Sequence, residues 1–222
     1  MNDHQVDVLD IVASHLIGIN VGHPLRVGVD GVCGAGKSTF ARALASRIVE
    51  RGRSVVFIDS DGFHHVRERR YRQGRDTARG YYEDAYDFDS LADKVLRPLG
   101  SGGDREYAVK VHDLATDAVI DDQTALASED AIVIFDATFI QRDELRELWD
   151  EVIYLHADEE AAFGRGIARD SDALGGVEAA RAAYDSRYMA ACRIYIEEQD
   201  PRARASIVID NTNPLDPVVE RL

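Results

Sequence analysis

The sequence predicts an α/β fold, a parallel sheet covered by helices on both faces, and three observations carry that prediction. Residues 54–59, 131–136, 151–156 and 205–210 are short runs rich in Val and Ile, each closed by Asp or His. Runs of this kind suit strands buried on both faces. Segments with apolar residues at helical spacing lie between them, the alternation expected of parallel strands joined by crossover helices. Finally, residues 25–40 read Leu-Arg-Val-Gly-Val-Asp-Gly-Val-Cys-Gly-Ala-Gly-Lys-Ser-Thr-Phe, which is an apolar run, a glycine-rich turn and the start of an amphipathic helix.

Taken in order, residues 2–18 place Val6, Leu9, Val12, Ala13 and Leu16 at helical spacing, so a packing helix precedes the first strand. Leu25, Val27 and Val29 form that strand. It runs into Gly31-x-x-x-x-Gly36-Lys37-Ser38, which satisfies the phosphate-loop pattern. Glycines allow close backbone approach, and successive N–H groups from Gly34 onward can point into one anion-sized hollow. The helix that follows adds its positive end. Lys37 is expected to reach the β and γ phosphates and Ser38 to hold Mg²⁺. Gly31, Cys33, Gly34, Ala35, Gly36, Lys37, Ser38 and Thr39 are therefore the candidates for binding a nucleoside triphosphate. An ordinary strand-to-helix turn is the alternative, and the strand and helix signals on either side argue against it.

The helix after the loop carries Phe40, Leu44 and Ile48 and stops at Gly52, a suitable C-cap. The strand at 54–59 ends in Asp59-Ser-Asp-Gly-Phe-His64. Ligands gather at the carboxyl ends of strands in open parallel sheets, so Asp61 is the candidate general base. Its alternative is a capping or turn aspartate. Residues 67–79 hold six arginines against two acids in a chain that is otherwise acidic. They read equally as an anion-facing segment or as a solvated helix paired with neighbouring acids.

Residues 79–99 read as a turn and then a helix capped near Asp87 or Asp89, with Leu91, Val95 and Leu96 buried. Tyr81, Tyr82 and Tyr86 either line an acceptor pocket or pack. Glycines at 100–103 break the chain, and 105–113 with a partner near 118–120 suggest a small hairpin off the main sheet. The strand at 131–136 closes with Asp136, placed for Mg²⁺. A short helix at 144–148 and the strand at 151–156 follow. The helix signal at 158–170 contains Arg165 and Arg169, which either close over phosphates or decorate a surface. Residues 177–199 form a long helix whose Tyr184, Tyr188, Ala191, Tyr195 and Ile196 stripe reads as core. The last strand leads into Asn211-Thr-Asn213-Pro214, a loop placed to border a nucleotide base.

The net charge of −15 and pI near 4.8 argue against a nucleic-acid partner, which requires a basic face, and solubility accounts for the acidity. The N-terminus carries Asp3, His4 and Asp7 rather than a basic leader, and no apolar run approaches a membrane span. Cys33 and Cys192 lie far apart and form no disulfide or zinc pattern, so a reducing, cytoplasmic setting is expected. Cys33 reads as a small filler of the loop. The sequence leaves open whether the chain forms a homo-oligomer.

From about residue 25 to 213 the chain resembles the uridine kinase-like branch of phosphate-loop kinases, which includes phosphoribulokinase, pantothenate kinase and nicotinamide riboside kinase. It is most similar to bacterial uridine kinase family proteins. The order of motifs carries the resemblance: Gly31-Val-Cys-Gly-Ala-Gly-Lys-Ser38, Asp59-Ser-Asp-Gly-Phe-His64, Tyr82-Glu-Asp-Ala-Tyr-Asp87, Val111-His-Asp-Leu114, Phe135-Asp-Ala-Thr-Phe139, Arg165-Gly-Ile-Ala-Arg-Asp170, Arg187-Tyr188 and Ile209-Asp-Asn211.

The resemblance implies a three-layer P-loop NTPase fold with five parallel strands in order 2-3-1-4-5 and a small inserted hairpin or lid. One domain spans 1–222, with 62–122 as acceptor-binding insert and 158–185 as lid. The implied activity is ATP- and Mg²⁺-dependent phosphorylation of a small-molecule hydroxyl, most simply on a nucleoside. Asp61 matches the family's catalytic aspartate, aided by Lys37, Arg165 and Arg169; Ser38 and Asp136 would hold the metal, and Asn211 and Asn213 would border ATP. Asp61, Phe63, His64, Arg75, Tyr82, Asp84, His112, Asp117 and Arg187 are the implied acceptor contacts. The chain departs from uridine–cytidine kinases at His112 (tyrosine there), Asp117 (histidine there) and Gly166 (a lid arginine there). Arg67, Arg69, Arg70, Arg72 and Arg75 suggest the alternative of a sugar-phosphate or acidic acceptor. A nucleotide-operated switch is the third reading.

Overall fold

The computed structural model describes residues 3–222. Helix α1 (Asp3–Gly18) turns Val8, Leu9, Val12, Ala13 and Leu16 inward, where they pack with Phe40, Ala41, Leu44 and Ile48 of α2 (Lys37–Glu50). Residue 2, where the sequence places the start of α1, lies outside the described residues. Strands β1 (Leu25–Asp30) and β2 (Val55–Ile58) flank α2 in the chain. After β2 come a 3-10 turn (Ser60–Phe63) and three short helices, α3 (Arg67–Arg70), α4 (Ala78–Asp84) and α5 (Phe88–Leu91), the last continuing as a π-turn to Leu96. Strands β3 (Glu106–Ala108), β4 (His112–Asp113), β5 (Ala118–Val119) and β6 (Thr124–Leu126) form two small ribbons. Then follow β7 (Ile132–Asp136), β8 (Glu151–His156), α6 (Glu159–Leu174), α7 (Val177–Ala183), α8 (Met189–Gln199), α9 (Pro201–Arg204), β9 (Ile207–Asp210) and β10 (Val218–Arg221).

The main sheet runs β2-β7-β1-β8-β9-β10. Its first five strands are parallel and stand in the expected order. The sixth corrects the five-strand expectation: β10 returns antiparallel along β9. It offers only two apolar residues, Val218 and Val219, one of them exposed, so no strand period was visible. Alternation along the strands divides the core. Ile132, Ile134, Ile153, Leu155, Ile207 and Ile209 face α1 and α2, while Val133, Phe135, Val152, Tyr154 and Val208 face the other helical layer.

Three local expectations change. Residues 79–86 are largely helix rather than turn, because the Thr77 hydroxyl accepts the Gly80 N–H (3.2 Å) and caps α4. The single hairpin is two ribbons, β3 with β6 and β4 with β5. Between β3 and β4 the Val111 N–H donates to Gly62 O (2.9 Å), which ties the insert to the end of β2 and breaks the ladder. The long helix at 177–199 is interrupted by a π-turn, Tyr184–Tyr188. Asp87 caps α5 as expected, accepting the Ser90 N–H at 3.0 Å.

Candidate active site

The phosphate loop leaves the carboxyl end of β1 and is braced from beneath. Asp30 is fully buried; its carboxylate accepts the Gly31 N–H (2.8 Å), Gln141 Nε2 (2.8 Å) and the Tyr195 hydroxyl. Burial pushes its pKa up, and these donors oppose the shift. Gly34 and Gly36 have φ of +82° and +97°, a region L side chains avoid. A Cβ on Gly34 would also sit 2.1 Å from Ala162 O. Asn211 closes the loop from β9, donating to Ala35 O at 2.8 Å.

Lys37 Nζ donates to Gly31 O (2.9 Å), Val32 O (3.0 Å) and Thr138 Oγ1 (2.9 Å). Ser38 Oγ donates to Asp136 Oδ2 at 2.5 Å, joining the first turn of α2 to the end of β7. Burial raises the Asp136 pKa, against the Ser38 hydrogen bond and the Lys37 charge. Phe139, three residues on, holds φ +77°, a costly conformation for a bulky residue. Contacts of 5.5, 5.2 and 5.3 Å between its ring and those of Tyr81, Tyr82 and Tyr195 help to hold it.

A cavity of about 510 Å³ opens over these strand ends. Cys33, Gly34, Lys37 and Ser38 line it from the loop, Ser60, Asp61 and His64 from the end of β2, and Asp136 and Thr138 from β7. Asp59 caps the 3-10 turn by accepting the Asp61 N–H (3.0 Å), so the capping role falls to Asp59. The Asp61 carboxylate makes no hydrogen bond among the described residues. Its pKa is raised, first by the water it loses to the cleft walls and then by the Asp59 charge. His64 stacks against Tyr86 at 4.5 Å, and burial lowers its pKa to about 4, leaving it neutral at pH 7.

The phosphoribulokinase/uridine kinase family model matches residues 26–214. The chain belongs to that family. It is a phosphotransferase with a hydroxyl acceptor, using ATP as phosphoryl donor. A uridine kinase from Leuconostoc citreum is 23% identical over 154 residues, 68% of this chain and 71% of that protein. One from Latilactobacillus sakei is 25% identical over 155 residues, 68% of this chain and 69% of that protein. The solved structure of a possible uridine kinase from Bacillus stearothermophilus has a TM-score of 0.71 at 25% identity, over 91% of this chain and 97% of that one.

In this kinase the sequence-derived acceptor candidates divide. Asp61, His64 and Arg187 line the cavity. Phe63, Arg75, Tyr82, Asp84, His112 and Asp117 do not. Phe63 is core, edge-on to Phe135 at 6.0 Å. Tyr82 packs on Phe139, and buried Asp84 accepts from Arg72 Nε (2.9 Å) and Gln73 Nε2 (2.7 Å). His112 Nε2 lies 3.1 Å from Asp117, which also accepts the Arg67 N–H (2.8 Å) and Arg70 Nη2 (3.3 Å). Arg75 lies over the Tyr71 ring. Of the arginine-rich segment only Arg70 reaches the cavity, while Arg72 and Arg79 are paired with Asp84 and Glu198.

Arg169 lines the cavity, held by Asp170 and the Tyr184 hydroxyl. Arg165 faces a second, more apolar cavity of about 220 Å³, also lined by Gly36, Thr39, Phe40, Asn211 and Pro214. It donates to Asn211 O (3.0 Å), and its Nε and Nη2 are buried without partners. Asn213 lines neither cavity; its carboxamide accepts the Leu215 N–H (3.2 Å). Gly166 has a steric reason: a Cβ there would lie 2.1 Å from the Tyr184 ring. Sequence reasoning gave no role to Asp30, Thr138, Gln141 or Asp170. Thr138 had the clearest signal, two residues beyond the acid that closes β7.

Proposed function

We propose that this kinase transfers the γ-phosphoryl group of ATP, with Mg²⁺, to a hydroxyl of a small molecule bound in the 510 Å³ cavity, with Asp61 as general base. The observation that carries the reading is the Asp61 carboxylate itself: it shares one cavity with Lys37 and Ser38, and no hydrogen bond occupies it among the described residues. A carboxylate with a raised pKa is suited to accept the acceptor's proton as the new O–P bond forms.

The loop N–H groups and the α2 N-terminus hold the phosphates. Lys37 exchanges Thr138 and the loop carbonyls for β- and γ-phosphate oxygens. Arg169, on the proposed lid (158–185), offsets charge that develops on the transferred group. The proposed acceptor insert (62–122) supplies Asp61's side of the cavity. Ser38 and Asp136 fit Mg²⁺, a hard cation usually held by one or two protein oxygens with phosphates and water completing its shell. When bound it neutralises phosphate charge. The second cavity, with Arg165 and Asn211 on its wall, is suited to the nucleotide base.

The names of the relatives make a nucleoside the first acceptor to test, and a cytoplasmic location belongs to the same reading. A nucleotide-operated switch has no use for a free carboxylate facing the phosphate loop. The test is Asp61→Asn in a coupled ADP-release screen over nucleosides, pantothenate, glycerate and pentose phosphates. ATP binding should survive while acceptor-dependent turnover is abolished; unchanged turnover removes the assignment.

A further inference from the structure

Four cationic side chains line the main cavity: Lys37, Arg70, Arg169 and Arg187. Two are accounted for. Lys37 belongs to the phosphate loop, and Arg169 is neutralised by Asp170, with contacts of 2.7 and 2.9 Å. Arg187 differs from both. Among the described residues it has no ion pair and no hydrogen bond, and its Nε is buried without a partner. Its guanidinium lies 5.0 Å from the Tyr81 ring centroid, 5.2 Å from Tyr188 and 5.5 Å from Tyr71.

Ring faces of this kind hold the flat guanidinium through cation–π attraction but accept none of its N–H donors. Arg70 lies 5.6 Å from the centroid of the same Tyr71 ring, so the two arginines share one aromatic post. The Arg70 side chain is only 11% exposed, its Nε is also buried and unpartnered, and its one carboxylate, Asp117, is 3.3 Å away. Arg187 itself belongs to the π-turn that interrupts the last long helix, as do Tyr184 and Tyr188, and all three face the cavity. Local π-turns recur at functional sites.

We propose that the acceptor carries an anionic group, a phosphate or a carboxylate, gripped by Arg187 and Arg70 around Tyr71, while its hydroxyl meets Asp61. This rests on the kinase reading above and narrows its substrate class. An anion supplies the planar or bidentate acceptor that Arg187 lacks and that Arg70 has only in part, through Asp117 at 3.3 Å. A neutral acceptor would leave the two buried Nε–H groups unsatisfied, which is unfavourable. The rest of the arginine-rich segment takes no part. His64, neutral at pH 7, adds no competing charge.

The test fills the nucleotide site first. Protein saturated with Mg²⁺ and a non-hydrolysable ATP analogue is titrated with inorganic phosphate by calorimetry. Phosphate should bind to the loaded wild type and bind about tenfold or more weakly to Arg187→Gln and Arg70→Gln, with analogue affinity unchanged in both variants. Arg187→Lys, which keeps charge but loses the fork, should fall between. Absence of phosphate binding to the loaded wild type overturns the proposal. So does a loss of analogue affinity in Arg187→Gln, which would hand that arginine to the triphosphate. In turnover, D-glycerate and ribulose 5-phosphate serve as anionic probes and uridine as the neutral one. Phosphorylation of an anionic probe with KM raised about tenfold in Arg187→Gln supports the proposal. Uridine turnover with KM unchanged in that variant overturns it and leaves the kinase reading standing. Failure of the analogue to bind the wild type removes both.

Discussion

The backbone N–H of Cys33, inside the phosphate loop, donates to Sγ of Cys192 on α8 at 3.3 Å, although 159 positions separate the two residues. The thiols themselves are hydrogen-bonded, and both are free. That contact and the Lys37 charge hold the Cys33 pKa below the ordinary thiol range against burial, while the Cys192 pKa is pushed up. Cys33 also lines the main cavity. Iodoacetamide should therefore label Cys33 in preference to Cys192, because the thiolate is the reactive form. The labelling rate should rise at a lower pH than for a free cysteine. Mg²⁺–ATP should protect, and Cys192→Ala should move the rate profile to higher pH. Peptide mapping that finds the label on Cys192 would refute this.

Asp59 and Asp61 form a second electrostatic pair. With Asp61 as the proposed base, its raised pKa means that it is protonated, and activity lost, at a higher pH than for an ordinary carboxylate. Asp59→Asn keeps an oxygen to cap the Asp61 N–H and removes the repelling charge. The acid limb of kcat/KM should then move to lower pH, with the plateau within about threefold of wild type. A limb that stays in place would show that cleft walls alone set the shift.

Ser38 and Asp136 are tested through the metal. Ser38→Ala and Asp136→Asn each remove one oxygen of a pair 2.5 Å apart. The Mg²⁺ concentration for half-maximal turnover should rise, by roughly tenfold to a hundredfold for a lost metal-site group. Mg²⁺ dependence identical to wild type in both variants would place the ion elsewhere.

The phosphate loop is legible in the sequence and the cavity wall beside it is not, for a physical reason. The phosphate loop is a contiguous device: glycines, Lys37 and Ser38 act through backbone geometry encoded within eight residues. The five parallel strands announce themselves as apolar runs. The wall of the 510 Å³ cavity, where the acceptor is proposed to bind, is instead assembled from distant pieces. Whether Asp84 faces a substrate or Arg72, and whether His112 faces a base or Asp117, depends on pairings that no local period encodes. Arg187 entered as an acceptor contact only through the resemblance, since nothing in its local pattern shows the π-turn that sets it among three tyrosines. Gly166 looked like a missing lid arginine, and the Tyr184 ring occupies that space.

The same ring makes Gly166 a packing test. A Cβ there would lie 2.1 and 2.3 Å from two Tyr184 ring carbons, and the Tyr184 hydroxyl is held by Asp170, so the ring has little room to yield. Gly166→Ala should destabilise the protein by about 1–3 kcal/mol through overpacking. Adding Tyr184→Ala should recover part of that loss, a coupling readable in a thermal or denaturant double-mutant cycle. Strict additivity would mean that the ring moves freely aside.

The last test concerns the brace beneath the loop. The Tyr195 hydroxyl donates to Asp30 and accepts the Gln141 N–H at 3.0 Å, all three groups being buried. Tyr195→Phe removes one donor from the carboxylate and leaves the Gln141 amide without its acceptor, at a cost of about 1–3 kcal/mol. The pH dependence has a definite sign. The folded-state pKa of Asp30 is raised above its unfolded value by burial, so the folded protein binds the proton more tightly and stability falls as pH rises through that window. Losing the Tyr195 donor raises the folded pKa further. The stability difference between wild type and Tyr195→Phe should therefore be smaller in acid and grow toward neutral pH, as measured by urea denaturation at several pH values. A difference that is constant with pH would mean that Asp30 keeps its charge through the Gly31 and Gln141 donors alone.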